Sequence, residues 1–256
     1  MDFATIGGIV FAIGMILVGQ AIEGGHAGSI MQLTAAMIVF GGTLGATAVS
    51  FPLKELARGL KMGAQAFRQK KSDVRQLLDQ AVDLATMARR DGVLALEQRM
   101  PELKDPFLSR AVGFIVDGVD ATVARDALET EIMREFEEGS VGAKVFESMG
   151  GYAPTIGILG AVLGLIHTME NLNDPSKLGA GIAVAFVATV YGVGSANLIF
   201  LPLATKIKRN VTIEKERRVL IAEAALSIQT GLNPRVLREK LLAYAGLHET
   251  QKEEKA

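Results

Sequence analysis

The chain has 256 residues, 49% hydrophobic and 5% aromatic, with 28 Gly, no Trp, no Cys and a formal net charge of −1. A mean hydropathy of +0.30 alongside that much glycine argues against an ordinary soluble domain and for a membrane protein. The near-neutral charge points to no nucleic-acid partner, and the lack of cysteine excludes a disulfide framework and a thiolate metal site.

The chain opens on "MDFATIGGIVFAIGM", which lacks a basic leader region and carries Asp2 instead. It reads as a retained first span rather than a cleaved signal peptide. Crossing about 30 Å of hydrocarbon takes roughly 20 mostly apolar residues. Four windows qualify, 3–22, 30–51, 151–169 and 178–203, and none contains Asp, Glu, Lys or Arg. The connections "EGGHAGS" and "ENLNDPSK" are short, whereas the segment after the second span and the tail after the fourth are highly charged. That segment holds 15 of the 27 Lys and Arg, from Lys54 to Lys144, the tail holds 11, and only Lys177 remains. Basic residues near span ends stay cytoplasmic, so both termini are expected inside and the two short loops outside. The predicted architecture is all-α: a hairpin over 1–52, a helical cytoplasmic domain over 53–149, a channel-lining hairpin over 150–203, and cytoplasmic helices over 204–256.

The charged parts also read as helical. Val74, Leu77, Leu78, Ala81, Leu84, Ala85 and Ala88 recur at helical spacing, and Pro101 and Pro106 then interrupt the pattern. Leu128, Ile132 and Phe136 form a second stripe. The fourth span is predicted to continue through "VTIEKERRVLIAEAALSIQTG" and stop at Gly231, with a new helix capped by Asn233 and opened by Pro234. The final "HETQKEEKA" reads as disordered.

Small residues follow a rhythm in the last two spans. Ala153, Gly157, Gly160 and Gly164 step by four, three and four, and Gly181, Ala185, Ala188, Gly192 and Ser195 repeat the alternation. Such steps draw one seam along a helix. In lipid, where apolar helices gain nothing hydrophobic by pairing, small residues allow the close approach that drives association. The seams are read as packing surfaces, against each other or against another chain. Gly41, Gly42, Gly45 and Ala46 give the second span its own small set.

Taken alone, Pro154 reads as a helix start and Pro202 as a kink near the interface; the alternative for both is a hinge, since an interior proline frees a carbonyl and bends the helix. Thr189 either satisfies itself on the carbonyl a turn back or lines a pore. His167 and Glu170 share a face at the outer, wet end of the third span. Intramembrane transport normally shows an ionisable residue inside the spans, and here there is no Asp, Glu, Lys or Arg. Any titrating group on an ion path must therefore come from another chain. No nucleophile–base or metal-ligand cluster points to an enzyme.

Four spans, the large charged segment after the second, "GGYAPTIGILGAVLGLIHTM" and "GAGIAVAFVATVYGVGSANLIFLPLATKIK" together resemble the MotA/PomA family, the ion-channel stator subunits of the bacterial flagellar motor. "ARRDGVLALE" is similar to that family's cytoplasmic signature. TolQ and ExbB resemble only the last two spans and have three spans in all. The family resemblance implies a homopentamer in the inner membrane, around a dimer of a MotB-type partner whose short helix carries the essential Asp. It implies that Gly157, Gly160, Gly164, Gly181, Ala185, Ala188 and Gly192 surround that helix, and that the pentamer turns to drive the rotor. Pro154 and Pro202 match the family prolines that couple conformational change to ion flow, with Ala161 and Thr189 on the ion path. Arg89 and Glu97 match the charged pair that contacts the rotor protein FliG, and Arg90 is an adjacent charge able to share the role; without the resemblance these residues read as a solvated helix face. Sodium-driven members carry Thr where this chain has Ala161. A proton needs only a titratable site while Na⁺ needs several oxygens, so H⁺ is the expected ion, with Na⁺ the alternative and no cofactor. The other expected partners are membrane lipid and, as a rival function, an envelope partner of the TolQ/ExbB kind.

Overall fold

The computed structural model describes residues 3–67, 74–170, 172 and 175–247. The expectations for Asp2, for residues 171, 173 and 174 of the second short loop and for the tail after Leu247 lie outside the described residues. Every described regular element is helical. In chain order they are α1 (Phe3–Ile22), a short 3₁₀ turn (Ala27–Ile30), α2 (Leu33–Ser50), α3 (Leu53–Ala66), α4 (Val74–Asp91), a 3₁₀ stretch (Val93–Glu102), α5 (Pro106–Val116), α6 (Ala121–Glu170), α7 (Pro175–Ser195), α8 (Leu201–Gln229) and α9 (Pro234–Tyr244). The predicted windows fall on α1, α2, the second part of α6, and α7 running into α8. All four are long and apolar enough to cross a membrane.

Two compact units result. The first comprises residues 1–69 and 139–210, and the second 70–138 and 211–256. These divisions lie beyond the span boundaries because nothing in the sequence ends the helices there: α6 continues across the start of the third span, and α8 across the end of the fourth.

In the first unit, α1 buries none of its residues, as expected for a span whose surroundings are lipid or other chains. α2 contains a π-helical turn at Met37–Gly41, and α7 passes into α8 through another at Ala196–Phe200. The second of these lies immediately before Pro202. Proline has no N–H to give its i−4 carbonyl, and a turn of wider helix absorbs the shift in the hydrogen-bond ladder.

In the second unit, the predicted apolar stripe of α4 is buried at Leu77, Leu78, Ala81, Leu84 and Ala85. It packs into a core with Leu96, Phe107, Leu108, Leu128, Ile132, Ile221 and Leu237. Each large side chain so enclosed contributes roughly 1.5–3 kcal/mol. Pro106 acts as punctuation, whereas Pro101 lies inside the 3₁₀ stretch and α4 already ends at Asp91: Asp105 caps α5, its Oδ1 accepting from the N–H groups of Phe107 (2.8 Å) and Leu108 (3.0 Å), and Pro106 takes the first helical position. The stop at Gly231 is also as read. Its φ of +72° is one that glycine adopts without strain, and the N–H groups of Gly231 and Leu232 close back on Ile228 and Ser227. Asn233 then caps α9, accepting from Arg235 N–H at 3.0 Å.

A buried carboxylate ties three helices of this unit together. Glu223 on α8 accepts from Arg125 on α6 and from Lys240 on α9, each at 2.8 Å, and Lys240 also reaches Ser227 at 3.0 Å. Burial pushes the Glu223 carboxyl up, but the hydrogen bonds and charges of Lys240 and Arg125 outweigh it and hold the group below the ordinary glutamate value. A depressed carboxylate stabilises the fold above its unfolded-state pKa, and the contribution is lost as pH falls through the lower folded value. Glu223→Gln is therefore expected to cost about 1–3 kcal/mol at pH 7. The gap from wild type should close progressively below about pH 4.3. Thermal unfolding of the detergent-solubilised chain across this range checks it; a gap independent of pH would rule out the charge as the cause.

Candidate functional site

The last two spans meet backbone to backbone. A Cβ built on Gly157 would lie 2.8 Å from the Ala188 carbonyl oxygen, and one on Gly192 would lie 2.5 Å from the Ala153 oxygen and 2.9 Å from Gly157 Cα. Farther along, a Cβ on Gly164 would come within 2.8 Å of both Gly181 O and Ala185 N, while one on Gly160 would meet Ala188 Cβ at 2.9 Å and Ile38 at 3.1 Å. Gly157, Gly160, Gly164, Gly181, Ala185, Ala188 and Gly192 are all buried in the single chain. Within the chain these seven meet each other, and their packing around a partner's helix stays a proposal. Each seam is filled by the other, since closest approach goes to the neighbour the chain itself supplies. What the hairpin leaves exposed is larger: Ile158, Val162, Leu165, Phe186, Val190 and Val193.

Pro154 lies inside α6, 33 residues after the helix begins at Ala121, so the helix-start reading is overturned. The charged helix before it does not stop, and the proline interrupts a ladder already running. Its missing N–H leaves the Gly150 carbonyl without its i+4 donor, and glycine at Gly150 and Gly151 leaves no side chains beside the pyrrolidine ring. Gly150 also faces α8: a Cβ there would lie 2.5 Å from Leu201 Cδ2. The residue four before Pro154 thus packs on the residue preceding Pro202. Ala161 is seven residues beyond Pro154, about two helical turns, and both are half-buried. The Thr189 hydroxyl donates to the Ala185 carbonyl at 3.2 Å, the self-satisfying arrangement.

Two tyrosines, which the sequence reading passed over, hold the second span to the others. Tyr191 Oη donates to the Ile30 carbonyl at 2.6 Å and accepts from Gln32 N–H at 3.2 Å, and its ring stacks on Phe40 at 5.8 Å between centroids. Tyr152 Oη and Ser50 Oγ are 2.8 Å apart. The signal was present: with three tyrosines in the chain, one in the middle of a charge-free span has a hydroxyl that must find a partner. His167 Nδ1 lies 3.8 Å from Glu170 Oε2, both more than half exposed, as expected for a wet helix end.

The charged signature belongs to the second unit. Arg89 and Arg90 occupy the last turn of α4, which ends at Asp91; Gly92 then takes φ +89°, and Glu97 sits in the 3₁₀ stretch that follows. The three are exposed but do not form one helix face, because the glycine turns the chain between them. Arg90 is bound to its neighbour, Nε to Asp91 Oδ1 at 2.9 Å and Nη2 to Oδ2 at 2.7 Å. That hydrogen bond raises the Arg90 pKa and lowers that of Asp91. Among the described residues no group of three or more His, Cys, Asp or Glu is placed to hold a metal ion.

Comparison with known proteins agrees across both hairpins. Residues 99–219 match the model of the MotA/TolQ/ExbB proton channel family, and residues 6–92 match that of the Motility protein A N-terminal region. The chain is 36% identical to Motility protein A of Helicobacter pylori (strain ATCC 700392 / 26695), over 98% of each chain. It is 33% identical to the chemotaxis protein PomA of Vibrio alginolyticus, over 95% of each. The solved structure of C. jejuni MotAB superposes with a TM-score of 0.92 at 32% identity, covering 98% of both chains. With both hairpins and the charged segment between them matched, the chain belongs to the MotA/PomA family of flagellar motor stator subunits.

Proposed function

We propose that this chain is the MotA-type subunit of a flagellar stator and forms, with a MotB-type partner, a proton channel that converts ion-motive force into torque. One observation carries the reading: four membrane spans of this family contain no Asp, Glu, Lys or Arg, so the ion-carrying carboxylate has to be supplied from outside the chain. The solved relatives are MotAB complexes, which fits a partner that supplies it. The match to the Motility protein A N-terminal region favours the flagellar branch over a TolQ/ExbB-like energiser. Five copies around a partner dimer, in the bacterial inner membrane with both termini cytoplasmic, complete the proposal; the basic residues crowding the span ends support that orientation.

The proposed ion is H⁺, on the ground of Ala161 in place of a threonine. The proposed ion path passes Pro154, Ala161, Thr189 and Pro202, and the rotor protein FliG is met by Arg89 and Glu97, with Arg90 partly occupied by Asp91. The test is proton and sodium flux in vesicles containing the chain with its unplugged partner, with and without the partner's Asp. Proton flux that disappears with the Asp is expected. Sodium flux would overturn the ion assignment, and no flux from an assembled complex would overturn the channel.

The rotor contact has a separate signature. Exposed charge pairs are individually worth about 0.2–1 kcal/mol, so Arg89→Glu or Glu97→Lys should each weaken rotor engagement a few-fold and the pair together by more. Stators engaged per motor should fall while flux through the unplugged channel stays at wild-type level. An equal loss of both would remove these residues from the rotor contact.

A further inference from the structure

α3 has three distinct faces. Gly59, Gly63 and Ala66 are buried, and the contact is with α6: a Cβ on Gly59 would lie 2.9 Å from Val145 Cβ, and one on Gly142 would lie 2.5 Å from Met62 Sδ. Lys54, Arg58 and Lys61 step by four and three along another face, and all are exposed. Leu53, Ala57, Leu60 and Ala64 form an apolar stripe beside it, with Leu53 79% and Leu60 44% exposed. One carboxylate, Glu55, accompanies the three cations, so the helix stays net basic.

The position of α3 says what covers those two faces. It begins directly after the second span, whose helix ends at Ser50; extended backbone at Phe51 and Pro52 turns the chain onto α6. Its contact at Val145 lies three residues before Ser148, where the charge-free stretch running into the third span begins, or about 4.5 Å along the helix. The headgroup layer on each side of the hydrocarbon is about 5–8 Å deep. A leucine stripe next to a Lys/Arg stripe at that depth is the pattern of a helix lying in the membrane interface.

We propose that α3 is an anionic-phospholipid docking helix: Leu53 and Leu60 enter the boundary between headgroups and acyl chains, and Lys54, Arg58 and Lys61 take lipid phosphates. Continuity with the second span and the depth of the contact on α6 select lipid over a second copy of the chain. The inference holds whichever ion the channel carries and whether or not it drives a rotor.

The test uses the intact complex with its MotB-type partner, purified in maltoside detergent and titrated with POPG or with POPC. POPG should raise Tm and co-purify by mass spectrometry, POPC should not, and inorganic phosphate should produce no shift. Each basic residue near a surface changes anionic-lipid binding roughly five-fold, so K54Q/R58Q/K61Q should weaken the POPG response about a hundred-fold. K54R/K61R should keep it. If the triple variant does not accumulate, Arg58→Gln alone is expected to bind about five-fold more weakly. Undiminished POPG binding by the variants or an equal response to POPC would overturn the proposal. A response to inorganic phosphate alone would identify a free-anion site instead. A changed number of chains per complex in the triple variant would show that a neighbouring copy covers this face.

Discussion

Gly192→Leu is expected to prevent the chain from accumulating as a folded protein, with or without its partner. The reason is what lies opposite: the Ala153 carbonyl oxygen at 2.5 Å and Gly157 Cα at 2.9 Å from the first added carbon. Both are backbone, so no rotamer change makes room, and the two spans must separate. Overpacking costs about 1–3 kcal/mol where side chains can yield; here the cost falls at or above the top of that range, and the loss of Gly157–Ala188 contact adds to it. Gly194 is the control, because a Cβ there meets nothing within 4 Å. Gly194→Ala should leave the yield and Tm of the detergent-solubilised chain unchanged or slightly raised, as alanine is the better helix former by up to about 1 kcal/mol. A Gly192→Leu chain that folds normally alone and fails only to bind its partner would return the seams to the partner's helix.

Pro154→Ala is expected to separate stability from activity. The substitution restores an N–H opposite the Gly150 carbonyl and relieves a helix-interior proline, a defect of about 3 kcal/mol or more in an ordinary helix. Assembly with the partner should therefore be unimpaired and Tm equal or higher. Proton flux through the unplugged complex and swimming torque should both fall by an order of magnitude or more. Gly150, whose carbonyl Pro154 leaves without its donor, packs on Leu201 at the end of the wide turn Ala196–Phe200, so a change in the hydrogen-bond ladder at one proline is passed to the helix of the other. Wild-type flux in the alanine variant would mean that the interior proline is tolerated rather than used.

These two sites differ in how far sequence reasoning reached them. The rhythm of small residues was legible, because a seam of period 3.5 is a property of one helix. Which surface it met was not, since a glycine seam fits another chain as well as its own hairpin, and only the register of α6 against α7 decides between them. Pro154 misled for a related reason. Read locally, "GGYAP" weakens helix on every count, yet charged residues 121–149 already form helix there and packing carries it through. Arg89 and Glu97 carried a family signature but no geometry, and the φ +89° at Gly92 that puts them on different elements is a local choice of backbone.

The sequence by itself determined the four spans, their freedom from charge, the helical class, and the caps at Asn233 and Gly231. Each of these follows from composition, periodicity or the chemistry of single residues, which act over one or two turns. Tertiary structure decided that the two seams fill each other, that Tyr191 and Tyr152 pin the second span, and that Gly150 packs on Leu201. It also decided that Glu223 is gripped from two helices and that α3 turns its glycines inward and its cations out. Those outcomes depend on which residues distant in the chain come within a few ångströms, where dispersion, hydrogen bonds and charge pairing act, and no single helix contains that information.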